Sequence, residues 1–230
     1  GDKGATVYTN GQGYDVIYPW KTKAQHPDTL MSLIQDVGIP QTLISDGGKE
    51  LIYGRAQETC TEYRIKQRYT VPYSPWQNQA EASIREIKKG TRRKLRLTGA
   101  PRRTWSYAAK WVTDVRRYLA KDHPSCNGRT GHEHITGSTP DISPLALFDY
   151  WEPVWYYMPM EKYPYEKKHI GRWMGLAENC TDDMAYIILP ESGIPITRKD
   201  VWALSEDELK NPAIAARLAV YDMAIDLLIG

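Results

Sequence analysis

Apolar positions along the first 120 residues change period several times, and each change marks an element. TVYT and YDVIYPW are β-rich runs on either side of the Gly11–Gly13 turn, which predicts a hairpin. Leu30, Leu33, Ile34 and Val37 then recur at three- and four-residue spacing between Pro27 and Gly38, the pattern of an amphipathic helix. QTLIS is a short apolar strand that delivers Asp46 into the turn DGG. A second helix is predicted over residues 50–62, and RIKQRYT reads as another strand. The segment from Pro72 to Pro75 leads into a long basic helix, and a further helix is predicted over residues 104–121. The order β-β-α-β-α-β-α argues for a mixed sheet flanked by helices.

Beyond this region the pattern changes. Residues 123–144 are rich in Gly, Pro, Ser and Thr and read as a linker between two compositions. Over residues 145–204 the short runs PVWYY, HIGRWMGL, MAYIILP and IPITRKDVWAL alternate with turn residues, the pattern of a small β-barrel. Residues 205–230 carry Ala, Leu and Ile at helical spacing and predict a terminal helix. The expected division is therefore a domain over 1–122, a linker over 123–144, a barrel over 145–204 and a C-terminal helix.

At 230 residues, with 41% hydrophobic residues and 8 Trp, the chain is long enough to bury one good core and a small satellite. No apolar run approaches the length of a membrane span, so no membrane partner is expected. The first twenty residues lack the pattern of an export or transit signal. Three widely spaced cysteines, Cys60, Cys126 and Cys180, argue against a disulfide framework and fit an intracellular, reducing compartment, nuclear or cytoplasmic.

Net charge is only +2, but its distribution is uneven. Residues 64–121 hold 16 basic and 3 acidic groups, a balance of +13, against −11 for the remainder. So basic a folded segment is a candidate for contact with phosphate. In the stretch SPWQNQAEASIREIKKGTRRKL, at about 100° per residue, Glu81 falls on the same side as Arg85, Lys88, Arg92 and Arg96. Ile84, Ile87, Thr91 and Leu95 form a separate stripe. Two readings of Glu81 stand open. It is the partner of Arg85 in an i,i+4 pair worth some tenths of a kcal/mol, or a functional carboxylate beside a basic face.

Asp46 ends a predicted apolar strand and lies 34 intervening residues before Glu81. LISDGGKEL followed at this distance by SPWQNQAEASIRE resembles the second and third carboxylates of retroviral and retrotransposon integrases. Pro75, Gln77 and Asn78 are similar to the element that precedes the family's glutamate, with one residue fewer between Asn78 and Glu81 than usual. STPDIS, WEPVWYY, IGRWMGLAENC and AYIILPESGIPITRKDVW are similar to the SH3-like segment downstream of copia-type integrase cores, with Thr197 to Val201 standing in for its last strand. The resemblance implies an RNase H-like α/β core followed by an SH3-like barrel. It implies DNA strand transfer as part of a retrotransposon polyprotein, with Asp46 and Glu81 as catalytic and metal-binding carboxylates. Mg²⁺ or Mn²⁺ in a two-metal site of the intact parent is the implied cofactor, because paired divalent ions activate the attacking oxygen and stabilise the leaving one. DNA is the implied partner, met by Arg85, Lys88, Lys89, Arg92 and Arg96, and self-association of the chain is a further expectation.

The family's first Asp is expected on a strand ahead of Gly1, and Asp2 and Asp15 are poor substitutes by position. Two alternatives therefore stay open: an integrase fragment inactive on its own, or a non-catalytic nucleic-acid- or protein-binding module from a decayed element. His123, Cys126, His132 and His134 have zinc-ligand chemistry, but their spacing fits no common structural site and a polar loop is expected there. Trp105, Trp111, Trp151, Trp155, Trp173 and Trp202 have the rings to stack on bases, yet their apolar neighbours assign most of them to the core.

Overall fold

The computed structural model describes residues 1–46, 54–70, 79–120, 126–178, 180 and 184–229. They form two compact units, residues 1–90 with 112–140 and residues 91–111 with 141–230.

In the first unit, β1 (Gly4–Thr9) and β2 (Asp15–Trp20) pair antiparallel from Gly4 opposite Trp20 to Thr9 opposite Asp15. The connecting turn closes on one side chain: Asn10 Oδ1 accepts from the amides of Gln12 and Tyr14 at 2.8 and 3.0 Å. Gly11 and Gly13 take the positive φ that this turn requires. Helix α1 (Asp28–Asp36) buries Leu30 and Leu33. Strand β3 (Thr42–Ser45) pairs parallel with β4 (Lys66–Tyr69), and α2 (Arg55–Glu62) supplies the connection between them. Leu30, Leu33, Cys60 and Ile65 form one core, against which Tyr8, Val16, Tyr18 and Leu43 pack. Among the described residues the expected mixed pairing is thus present as two two-stranded sheets, one antiparallel and one parallel.

Two long helices follow, α3 (Gln79–Thr98) and α4 (Trp105–Tyr118). Gly90 of α3 faces Val112 of α4 so closely that a Cβ there would lie 2.8 Å from Val112 Cγ1. A residue without a side chain lets the helices approach at this point. Within the segment expected to be a loop, α5 (Gly131–Thr136) starts on a capping box in which Thr130 Oγ1 accepts from the Glu133 amide and Glu133 accepts from the Thr130 amide. That second bond is the main cause holding the Glu133 carboxyl below its ordinary pKa. The short helix α6 (Ser143–Ala146) follows.

The second unit is built on an antiparallel sheet of β5 (Pro153–Tyr157), β6 (Lys168–Leu176), β7 (Tyr186–Leu189), β8 (Ile196–Arg198) and β9 (Val201–Ala203), in the order β8-β7-β6-β5-β9. The edges β8 and β9 are separated in sequence by only Lys199 and Asp200. Three Cα steps span at most about 11 Å, whereas the edges of a flat five-stranded sheet would lie about 19 Å apart. The sheet must therefore curl steeply, helped by a register shift between Trp173 and Gly175. Among the described residues no pairing joins β8 to β9, so the expected closed barrel is an open, curled sheet. The reason is local: each strand is three residues long and turns at Lys199–Asp200 toward a different neighbour.

Phe148, Val154, Tyr156, Trp173, Tyr186 and Ile188 fill one core of this unit. Helix α7 (Glu206–Lys210) leads into α8 (Pro212–Ile229), whose Tyr221 and Ile225 enter a second core with Tyr150, Trp151, Met174 and Leu189. Buried phenols in this second core are hydrogen-bonded: Tyr150 donates to Thr104 Oγ1 at 2.7 Å and Tyr221 to the Leu189 carbonyl at 2.6 Å. Burial pushes both above the ordinary phenol range. Arg172 on β6 forks onto the Asp222 carboxylate of α8 at 2.6 and 2.7 Å, fixing helix to sheet.

Trp173 is fully buried whereas Trp202 is about half exposed on the edge strand β9. Trp173→Ala should therefore cost about 3–5 kcal/mol of unfolding free energy, and Trp202→Ala no more than about 1 kcal/mol. Denaturant unfolding followed by far-UV circular dichroism measures both, and equal losses would contradict this packing.

Candidate functional site

Helix α3 owes its length to a run without proline or clustered β-branched residues, ended by Gly99 in the left-handed conformation and by Pro101 beyond it. Glu81 lies in its first turn and Arg96 in its last, the arrangement that the helix dipole favours. Ser83, Ile87 and Thr91 are buried, and Ile84 and Leu95 are half-buried. Glu81, Arg85, Lys88, Lys89, Arg92 and Arg96 are all exposed. The two faces expected from the sequence are therefore the two faces observed.

Glu81 has an interaction partner of its own, so the local-partner reading stands beside the functional one. Among the described residues no ion pair or side-chain hydrogen bond engages Lys88, Lys89, Arg92 or Arg96. Other bases of the +13 segment are spent internally. Lys94 pairs with Asp149 and lies 4.2 Å from the centre of the Trp111 ring, and Lys110 pairs with Glu178 at 2.7 Å. Arg116 and Arg117 pair with Asp15 and Asp114. Of the bases not so engaged among the described residues, Arg85, Lys88, Lys89, Arg92, Arg93 and Arg96 lie on α3, and Arg64, Lys66, Arg68, Arg102 and Arg103 lie outside it.

Asp46 is the residue next after β3. The parallel ladder ends with the Thr70 amide donating to the Ser45 carbonyl at 2.9 Å, so the exposed Asp46 sits at the carboxyl end of the strand pair. Glu81 lies in the first turn of α3, the next described element after β4. In parallel α/β architecture, ligands bind outside the carboxyl ends of the strands. Among the described residues no group of three or more His, Cys, Asp or Glu is placed to hold a metal ion. Pro75, Gln77 and Asn78 lie outside the described residues, as does His123. Cys126 is buried, with its thiol directed at the Gln12 carbonyl at 3.3 Å, and His132 packs on Tyr118 with ring centres 5.3 Å apart.

A polar network missed by sequence reasoning holds α3 in place. Asp15, wholly buried at the start of β2, accepts from Ser83 Oγ at 2.9 Å and from Arg116 Nη2 at 3.4 Å. Ser83 Oγ is also 3.4 Å from Thr9 Oγ1 on β1. The signal was present in the alternation of β2, which turns Asp15 to the same face as Ile17. Asp15 thus fastens the helix.

No protein-family model matches the chain, and no curated protein matches it. Among solved structures it is similar to the HTLV-2 integrase catalytic core domain in complex with magnesium, at 18% identity and TM-score 0.45, covering 57% of this chain and 92% of that one. It is also similar to a chain of the simian T-cell lymphotropic virus intasome in complex with PP2A regulatory subunit B56 gamma, at 16% identity and TM-score 0.46, covering 88% of this chain and 72% of that one. A third likeness is to the catalytic core domain of BIV integrase, at 21% identity and TM-score 0.40, covering 58% and 84%.

Removing the Ser83 hydroxyl leaves a buried carboxylate short of a donor. Ser83→Ala should cost about 1–3 kcal/mol, and Asp15→Ala, which strands Arg116, should cost at least as much. Denaturant midpoints of the two variants test this, and a Ser83→Ala protein as stable as the parent would show that the network does not anchor α3.

Proposed function

We propose that this chain is a segment of an integrase-type DNA-joining protein of the copia retrotransposon kind, which binds DNA but lacks strand-transfer activity on its own. The observation that carries the reading is the exposed basic face of α3, on which Arg85, Lys88, Lys89, Arg92 and Arg96 have no ion pair among the described residues, with Asp46 next after the parallel strand β3 and Glu81 in the first turn of the helix. Residues 1–122 would be the RNase H-like core, and the curled sheet within 145–204 an SH3-like module.

Asp46 and Glu81 are suitable ligands for Mg²⁺ or Mn²⁺, hard cations that take carboxylate oxygens. A bound divalent ion would activate the attacking oxygen and stabilise the leaving one in displacement at phosphorus. Two carboxylates without a third hold such an ion weakly, so affinity should rise when DNA phosphates complete the site. Arg85, Lys88, Lys89, Arg92 and Arg96 would contact the DNA backbone, which positions it without reading sequence. One observation favours a second, non-catalytic reading: among the described residues the acids do not form a metal cage. Under that reading the basic face still binds nucleic acid, and added metal changes nothing.

Fluorescence anisotropy with duplex DNA tests both parts. Five phosphate contacts should give a slope of log affinity against log salt of about −4 to −5, largely lost when the five bases become Ala. Mg²⁺ should tighten binding in the parent and not in Asp46→Ala. Affinity unchanged by loss of the five bases would make the face a solvated surface only.

A further inference from the structure

Helix α8 reads PAIAARLAVYDMAIDLLI, apolar around most of its circumference with only Arg217, Asp222 and Asp226 charged. One face is accounted for. Tyr221 and Ile225 are buried in the core, and Ile214 and Leu218 pack on the cluster of Trp155, Ile170 and Leu204. Asp222 is held by Arg172, and Arg217 lies over Trp155 and pairs with Glu166 at 3.7 Å. The opposite face holds Ala213, Ala216, Val220, Met223 and Leu227, all exposed, with Val220 at 61%, Met223 at 67% and Leu227 at 88%.

Their spacing is three, four, three, four, the a/d repeat by which one helix packs along another. Leu228 and Ile194 extend the apolar patch. Leu228 lies against Gly193, where a Cβ would be 3.3 Å from Leu228 Cδ1, and Ile194 is the next residue and is exposed. Val220, Met223, Leu227, Leu228 and Ile194 together expose on the order of 600 Å² of apolar surface, at the top of the range for a lone monomer and near the 800 Å² per partner of a standard interface.

We infer that this face pairs with the same face of a second copy of the chain, antiparallel, about a two-fold axis at Val220. The taper of the stripe selects this occupant. Small residues, Ala213 and Ala216, occupy one end and large ones, Met223 and Leu227, the other. An antiparallel copy places Leu227 over Ala213, Met223 over Ala216 and Val220 over itself, so each bulky side chain meets a small one and the contact is self-complementary. A parallel copy would stack large on large and leave the alanines apart. A membrane surface fits less well, because helices that lie on membranes carry Lys and Arg along their polar face and α8 has one Arg. Among the described residues no helix is long and apolar enough to cross a membrane.

Sedimentation equilibrium and cysteine cross-linking test the pairing. The chain should sediment at twice its 26.3 kDa mass. Val220→Glu, which would oppose two carboxylates on the axis, and Met223→Lys should each weaken the dimer about 100-fold or more while leaving far-UV circular dichroism unchanged. In a Cys180→Ser background, Val220→Cys should form a disulfide-linked dimer under mild oxidation and Ala213→Cys should not, whereas Ala213→Cys with Leu227→Cys should. A chain that stays monomeric at tens of micromolar, a dimer that survives both charged variants, or cross-linking through Ala213→Cys alone would each overturn the proposal. DNA affinity is read from α3, so it stands or falls separately.

Discussion

A buried carboxylate positions the long basic helix of this protein. Asp15 has no access to water, and a charge so placed is tolerated only when its oxygens are occupied by donors. Ser83 and Arg116 provide them from two different helices, and Thr9 adds its hydroxyl to the Ser83 end. The hairpin, α3 and α4 are thereby locked at one point with directional bonds, where apolar packing alone would permit sliding. Ile87 buries one turn further along, and Gly90 removes the side chain that would hold α4 away. Glu81 is two residues from Ser83, so the first turn of α3 is set by this buried contact.

The division of the basic residues follows the same physics. Charges buried or half-buried on α4 and on the inner side of α3 are neutralised by Asp15, Asp114, Asp149 and Glu178. Among the described residues Lys88, Lys89, Arg92 and Arg96, on the outer side of α3, are in no ion pair. A net balance of +13 over residues 64–121 therefore overstates what an outside polyanion would meet. Five of the remaining bases, Arg85, Lys88, Lys89, Arg92 and Arg96, share the exposed face of one helix.

Much of this was legible in the sequence where period and local chemistry agree. The hairpin, α1, β3, β4, α3 and α4 fall where apolar spacing, Pro27 and Gly38 place them, because these elements are fixed by their own residues. The second unit was visible as four runs, the last of which, IPITRKDVWAL, divides into β8 and β9. What periodicity does not carry is pairing at a distance. Nothing local tells that β8 and β9 occupy opposite edges of one sheet, nor that the sheet curls without closing. Ser83 was hidden because a serine beside an apolar stripe reads as neutral until its partner on another strand is known. The outward repeat of α8 was hidden because a helix apolar on both sides shows no contrast between faces.

The central claim is that Glu81 is a functional carboxylate and not a helix-stabilising one. Strand transfer tests it most directly, in a longer chain that supplies a third carboxylate on a strand ahead of Gly1. With Mg²⁺ or Mn²⁺ that chain should join donor DNA ends to a target, and Asp46→Ala or Glu81→Ala should abolish joining while DNA binding persists. Joining that survives Glu81→Ala would contradict the account and return Glu81 to the role of a surface charge at the start of a basic helix.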